Sequence, residues 1–238
     1  MLYYPAPNPD AKRARVFTRH DFLHSLKVAS ITRQPERNQL LICMSHGCGL
    51  RVTELSQITI GDVMFSTNQI REELTLRAAI TKRSKSRTVP FTNTLLLAKL
   101  EAYLQYRIAN DIGMELNTKT YRGLSPHLPL IYSDRNTPFQ LSLKARKSKS
   151  GEVVSYWACD TLERTFSKLY AQSGLKGASS HSGRRTFGSK IMETTGDIEL
   201  VARWLGHDSI EQSSIYIEPN IKALRAALSS FVDGVDVN

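Results

Sequence analysis

The sequence predicts a mainly α-helical fold with one small antiparallel β-sheet. Three observations lead there. Apolar residues recur at helical spacing over most of the chain, as in Leu96, Leu100, Leu104 and Ile108. Capping residues and terminal glycines punctuate the chain at matching intervals. Only between about Asp62 and Phe91 does the apolar period shorten to two, with Leu74, Leu76, Ala78 and Ile80 alternating.

Taken in order, residues 1–16 carry four prolines or asparagines and the run Lys12-Arg13-Ala14-Arg15, and are read as a basic N-terminal arm. Residues 17–231 are read as one globular domain and residues 232–238 as a tail. Thr18 with Asp21 has the spacing of a capping box, and Phe17 with Phe22 that of a hydrophobic staple, so a helix is expected to start there. Pro35 suits the first turn of a second helix, which Gly47 and Gly49 break. A short helical turn is expected from Arg51 to Ile58. The alternating stretch and Thr88-Val89-Pro90 form the sheet. Thr92 opens a long helix that ends before Gly113. Residues 117–155 are rich in Pro, Ser and Lys and are read as a long, partly mobile connection with one short strand at Leu130-Ile131-Tyr132. Further helices are expected from Asp160 to Gly174, from Ser182 to Gly196, and from Asp197 to Gly206. Ser209 and Gln212 open a brief turn to Tyr216, and Ile221, Leu224, Leu228 and Phe231 form a terminal amphipathic helix.

The 238 residues are enough for a sizeable core, and Lys plus Arg exceed Asp plus Glu by 32 to 22, a formal charge of +10. Such a surplus points to a polyanionic partner, most economically nucleic acid. Apolar runs such as Leu40 to Met44 are too short to cross a bilayer, and Met1-Leu2-Tyr3-Tyr4-Pro5 is unlike a signal peptide. Cys43, Cys48 and Cys159 make no paired framework, so a cytoplasmic, nucleoid-associated location without a membrane is expected. Cys43, His46 and Cys48 fit no zinc spacing and are read as buried; no metal or other cofactor is expected.

Tyr216 closes a series of short motifs: Gly49-Leu50-Arg51-Val52-Thr53-Glu54-Leu55, the basic segment Lys82 to Pro90, His181-Ser182-Gly183-Arg184, and Leu205-Gly206-His207. Each is weak alone. Together they provide what metal-free attack on a phosphodiester requires. A phenol, with a pKa of about 10, needs a base or nearby cations to become a nucleophile. Arginine forks stabilise charge on phosphoryl oxygens. A lysine or histidine supplies the leaving oxygen's proton.

Jointly, these motifs resemble the tyrosine recombinase (phage integrase) family over most of the chain, from Phe17 to about Phe231. The resemblance implies that family's catalytic-domain fold, of the DNA breaking-rejoining type, and the activity of a site-specific DNA recombinase or integrase of mobile genetic elements. It implies Tyr216 as nucleophile and Arg51 and Arg184 as phosphate clamps. His181 would assist proton transfer, His207 would position phosphate or nucleophile, and Lys82 would be the general acid. Lys85 competes with Lys82, because Arg83 stands where the family's turn usually has glycine. Glu54 either orients Arg51 or is a solvated helix carboxylate. Lys85, Arg83, Arg87, Arg185, Lys12, Arg13 and Arg15 are the expected DNA-contacting cations. The implied partner is double-stranded DNA with inverted half-sites, bound by a homotetramer that is monomeric when free. Only about sixteen residues precede the match, as in catalytic-domain-only recombinases such as the fimbrial phase-variation invertases, so either the basic arm at Lys12 to Arg15 partly substitutes or an accessory protein or partner recombinase supplies the missing grip on DNA. The terminal helix packs either on its own core or on a neighbouring protomer. The competing reading is a DNA-binding accessory or regulatory protein that keeps the fold with little activity.

Overall fold

The computed structural model describes residues 13–81, 85–147, 151–207 and 209–216. The expectations for Lys12, Lys82, Arg83, most of the arm, the terminal helix and the tail lie outside them.

Helix α1 (Arg19–Ala29) starts with the predicted capping box: Thr18 accepts from the Asp21 amide at 3.1 Å, and Asp21 accepts from the Thr18 amide at 3.0 Å. Helix α2 (Pro35–Cys48) is the centre of the molecule. Leu40, Leu41, Ile42, Cys43 and Met44 are all buried, so its middle turn is covered around the whole circumference, as in a helix enclosed by others. It packs against α1, α5 (Thr94–Ala109) and α7 (Ser182–Thr195). Its end is set by Gly49 in the left-handed region, φ +60°. A side chain there would also collide with Phe187, 2.5 Å from where its Cβ would lie. We expect Gly49→Ala to cost about 1–3 kcal/mol, measurable as a lower urea midpoint.

Two short helices follow, α3 (Val52–Leu55) and α4 (Ile60–Val63). Strands β1 (Glu73–Leu76) and β2 (Arg87–Pro90) then pair antiparallel, Leu74 opposite Val89 and Leu76 opposite Arg87. The alternation read through Ile80 ends earlier as strand, at Leu76; Ala78–Ile80 forms a 3-10 turn. Helix α5 begins at Thr94 instead of Thr92, because Asn93 is the residue that caps it, through the Leu96 amide.

The segment read as a partly mobile connection is largely folded. Strands β3 (Ser142–Lys147) and β4 (Val153–Ala158) form a second antiparallel hairpin. Upstream, Arg107 is fully buried and donates to the carbonyls of Ile112, Pro129 and Leu130, with its guanidinium 4.5 Å from the Tyr132 ring centroid. These bonds fasten the loop to α5. Leu130 and Ile131 are buried as an apolar run should be, but the expected strand is reduced to isolated bridges of their neighbours, Pro129 with Thr59 and Tyr132 with Pro138.

Helix α6 (Asp160–Gln172) buries Leu162, Phe166 and Leu169. Helix α7 ends at left-handed Gly196, and Asp197 caps α8 (Ile198–Leu205) through the Glu199 and Leu200 amides. Residues Ile210–Tyr216 form a 3-10 segment. With Ile191, Val201 and Leu205, Tyr216 makes a small apolar cluster separate from the main core. Among the described residues no helix is long and apolar enough to cross a membrane.

Candidate active site

Helix α8 ends at Gly206; the Gly206 and His207 amides serve the Ala202 and Arg203 carbonyls, leaving those of Trp204, Leu205 and Gly206 without backbone donors from the helix. Three arginines from three elements supply them. Arg87 of β2 donates through Nε to the Trp204 carbonyl at 3.0 Å. Arg184 of α7 donates to the Leu205 carbonyl at 2.5 Å and to Gly49 at 2.8 Å, tying the end of α8 to the end of α2. Arg51, at the entrance to α3, reaches the Gly206 carbonyl at 3.5 Å. Cations at a helix C-terminus also lie favourably in its dipole.

Glu54 is the counter-charge. It is fully buried, accepts from the Arg51 amide and Nη1 at 2.8 Å, and accepts a fork from Arg87 at 2.8 and 2.6 Å. Burial alone would raise its carboxyl pKa. The Arg87 hydrogen bond and the charges of Arg87, Arg51 and Arg184 outweigh that and hold it below the usual carboxylate range. Arg184 is buried; desolvation, then Arg51, bring it down to about 9, so it stays cationic at neutral pH. One carboxylate thus faces three guanidinium groups, and the excess positive charge suits a phosphate.

His181 immediately precedes α7, whose first turn carries Arg184. Partial desolvation lowers its imidazole pKa; Glu163 opposes this, and Arg184 and Arg51 add to it, favouring the neutral ring that accepts a proton. His207 follows Gly206. Its Nδ1 lies 2.7 Å from Ser213 Oγ, and its ring stacks on Tyr216 with centroids 6.1 Å apart at 20°.

Tyr216 is 6 % exposed and seated on α7 at Gly188 and on Leu205. Burial raises its phenol pKa, while Arg184, Arg185 and Arg51 pull it down. A Cβ at Gly188 would come 2.7 Å from Tyr216 Cε1 and 2.9 Å from Leu205 Cδ1. Gly188→Ala is therefore expected to unseat Tyr216 at a stability cost of about 1–3 kcal/mol, read as a lower urea midpoint; an unchanged midpoint would mean that Tyr216 is not held there.

Arg51, Arg184, His181, His207 and Tyr216 thus gather around the end of α8. Arg87, expected as a DNA contact, has a side chain only 7 % exposed that is bonded to Glu54 and to the Trp204 carbonyl. Arg15 pairs with Asp21 at 2.8 Å, and Arg185 donates to the Ala14 carbonyl at 2.6 Å, so both help hold the end of the arm to the body. Arg13 and Lys85 are exposed. Glu54 is neither solvated nor merely a partner of Arg51; it joins two arginines. The Arg51–Glu54 spacing signalled the nearer pair, but nothing in the sequence announced the pairing of Arg87 with Glu54, or Gly188 or Ser213. Cys43 and Cys48 are core residues and His46 is half-buried beside them: desolvation brings His46 down to about 4 and pushes Cys43 and Cys48 up to about 12. Among the described residues no group of three or more His, Cys, Asp or Glu is placed to hold a metal ion.

The chain belongs to the phage integrase family, whose model matches residues 15–222. It is 28% identical over 192 residues to tyrosine recombinase XerA of Pyrococcus horikoshii, covering 81% of this chain and 54% of that protein. It is 24% identical over 181 residues to tyrosine recombinase XerC of Proteus mirabilis, covering 76% and 47%. The chain therefore spans about half the length of these relatives. Its fold matches the crystal structure of XerA recombinase with a TM-score of 0.63 at 22% identity, covering 91% of this chain and 65% of that one. It matches the catalytic domain of bacteriophage HP1 integrase with a TM-score of 0.53 at 17% identity, covering 90% and 95%.

Proposed function

We propose that this chain is a site-specific DNA recombinase that cuts and rejoins strands through Tyr216. The convergence of Arg51 and Arg184 on the end of α8, next to the seat of Tyr216, carries the reading. In it, the Tyr216 oxygen attacks the scissile phosphorus. The new Oη–P bond forms as the bond to the 5′-oxygen breaks, leaving a 3′-phosphotyrosyl ester and a free 5′-hydroxyl. Arg51 and Arg184 hold the non-bridging oxygens, and His207 keeps the tyrosine in line through its ring stack. His181 takes the phenolic proton, and Lys82 or Lys85 protonates the leaving oxygen. The ester stores the bond energy, so a second strand's 5′-hydroxyl reverses the step without ATP or metal.

A phenol is already protonated at neutral pH, and burial of Tyr216 moves it further that way, so phosphate and base must arrive before it reacts. One domain over residues 17–231, acting as a tetramer on duplex DNA with inverted half-sites, completes the proposal, with an accessory protein or partner recombinase aiding the grip. Support for the DNA partner comes from the +10 charge and from a structural neighbour, XerH recombinase bound to palindromic difH substrate, with a TM-score of 0.61.

The test uses nicked duplexes drawn from the DNA flanking the chain's own coding region, which trap the intermediate when the cut fragment diffuses away. A denaturant-resistant protein–DNA species joined at the DNA 3′ end, formed equally in excess EDTA, is expected. Abolition by EDTA, or no adduct on any such duplex, would count against the reading. Duplex affinity is also expected to fall steeply with salt, by about 0.9 in log–log slope for each phosphate neutralised. A flat response by fluorescence anisotropy would remove the electrostatic basis.

A further inference from the structure

The β3–β4 hairpin exposes more apolar surface than a solvent-facing ribbon should. Residues paired across the strands share a face, so Leu143, Trp157, Lys147 and Val153 lie together, and Lys144, Tyr156, Arg146 and Val154 lie on the other side. An ordinary hairpin buries one of its faces. Here Leu143 is 60 % exposed, Trp157 59 % and Val153 68 %, and the opposite face is open too, with Tyr156 at 39 %. A two-stranded ribbon is marginal by itself, and an exposed apolar face on one marks a contact surface.

Its position and charge indicate what it contacts. Ala158 at the base is buried, and β4 packs on α3, the helix that Arg51 opens. Lys144 bonds Asp160 at the start of α6, one turn before Glu163, whose charge acts on His181. The hairpin therefore rises from the rim of the candidate active site. The two strands hold Lys144, Arg146 and Lys147 and no carboxylate, and Arg146 lies 5.5 Å from the Tyr156 ring centroid. A cationic ribbon with aromatic side chains complements a polyanion that also offers flat bases and sugars. Strands about 4.8 Å apart fit a major groove about 12 Å wide.

We propose that β3–β4 is a second DNA-contacting element, a ribbon that enters a groove of the same duplex beside the cleavage point. Arg146 and Lys147 meet phosphates, and Trp157 meets sugar and base edges. This deepens the recombinase reading and rests on it.

The test compares the wild-type chain with Arg146→Ala/Lys147→Ala, Trp157→Ala and Trp157→Phe. Each is titrated with a mixed-sequence duplex oligonucleotide over a range of salt, after far-UV circular dichroism and thermal unfolding confirm an intact fold. The double variant is expected to bind with a log–log salt slope shallower by about 1.8. Trp157→Ala is expected to bind roughly tenfold more weakly, with Trp157→Phe recovering most of that loss. The tryptophan emission change on adding DNA should shrink in Trp157→Phe to the part that Trp204 contributes. Unchanged affinity, slope and emission response, while wild type binds, would overturn the inference and leave the recombinase reading standing. Variants that bind DNA normally but assemble there into smaller species would overturn it in favour of a protomer–protomer surface. Absence of salt-dependent duplex binding by wild type would sink both.

Discussion

Replacing Tyr216 with phenylalanine is expected to abolish the covalent protein–DNA species and lower strand cleavage by at least about 10⁴, the scale on which losing a nucleophile is felt. The substitution removes one oxygen and nothing else that holds the site together. Its ring would keep the seat on Gly188 and Leu205 and the stack on His207. No cavity opens, so stability should change by less than about 1 kcal/mol. Duplex affinity should stay near wild type, because Arg51, Arg184 and the outer cations are untouched. That separation gives the measurement its force: denaturing gel electrophoresis of nicked-substrate reactions reports the adduct, and anisotropy reports binding. An equally abundant adduct from the phenylalanine variant would take the nucleophile's role away from Tyr216.

What could be read from the sequence was local. The capping box at Thr18 and Asp21, the proline opening α2, the glycines ending α2, α7 and α8, and the Asp197 cap are each decided within a turn of backbone, and each stands where it was expected. The site motifs were legible for a similar reason. Arg51, His181, Arg184 and His207 all lie at helix ends, marked by glycine or a capping residue nearby.

Two kinds of feature stayed hidden. The first is the buried cation. Arg107 and Arg87 look like surface residues in sequence, but their partners come from other elements: main-chain carbonyls up to 23 positions away for Arg107, and Glu54, 33 positions away, for Arg87. The second is the β3–β4 hairpin. Strand patterns are recognised by one buried face, and this ribbon buries neither, so Ser142–Lys147 looks like a polar linker. Both failures share a cause, since the deciding contacts, or their absence, belong to the tertiary structure.

Glu54 shows what the hidden contacts are worth. Glu54→Gln is expected to destabilise the chain by about 3–5 kcal/mol, lowering its melting temperature by on the order of 10 °C, because Arg87 and Arg184 would be left in a buried site without a counter-charge. The amide keeps the shape but cannot satisfy two guanidinium forks. Removing Arg87 as well, in Glu54→Gln/Arg87→Met, should recover part of the loss, and a double-mutant cycle from urea unfolding would return a coupling of about 1–3 kcal/mol. The pH dependence has a defined sign. The folded pKa of Glu54 lies below its unfolded value, so its contribution is present above that unfolded value, about 4.3, and is lost as pH falls through the folded one. The stability gap between wild type and Glu54→Gln should accordingly be widest near neutrality and shrink progressively below about pH 4. A gap that stayed constant between pH 7 and pH 3 would mean that Glu54 holds the arginines by shape and not by charge.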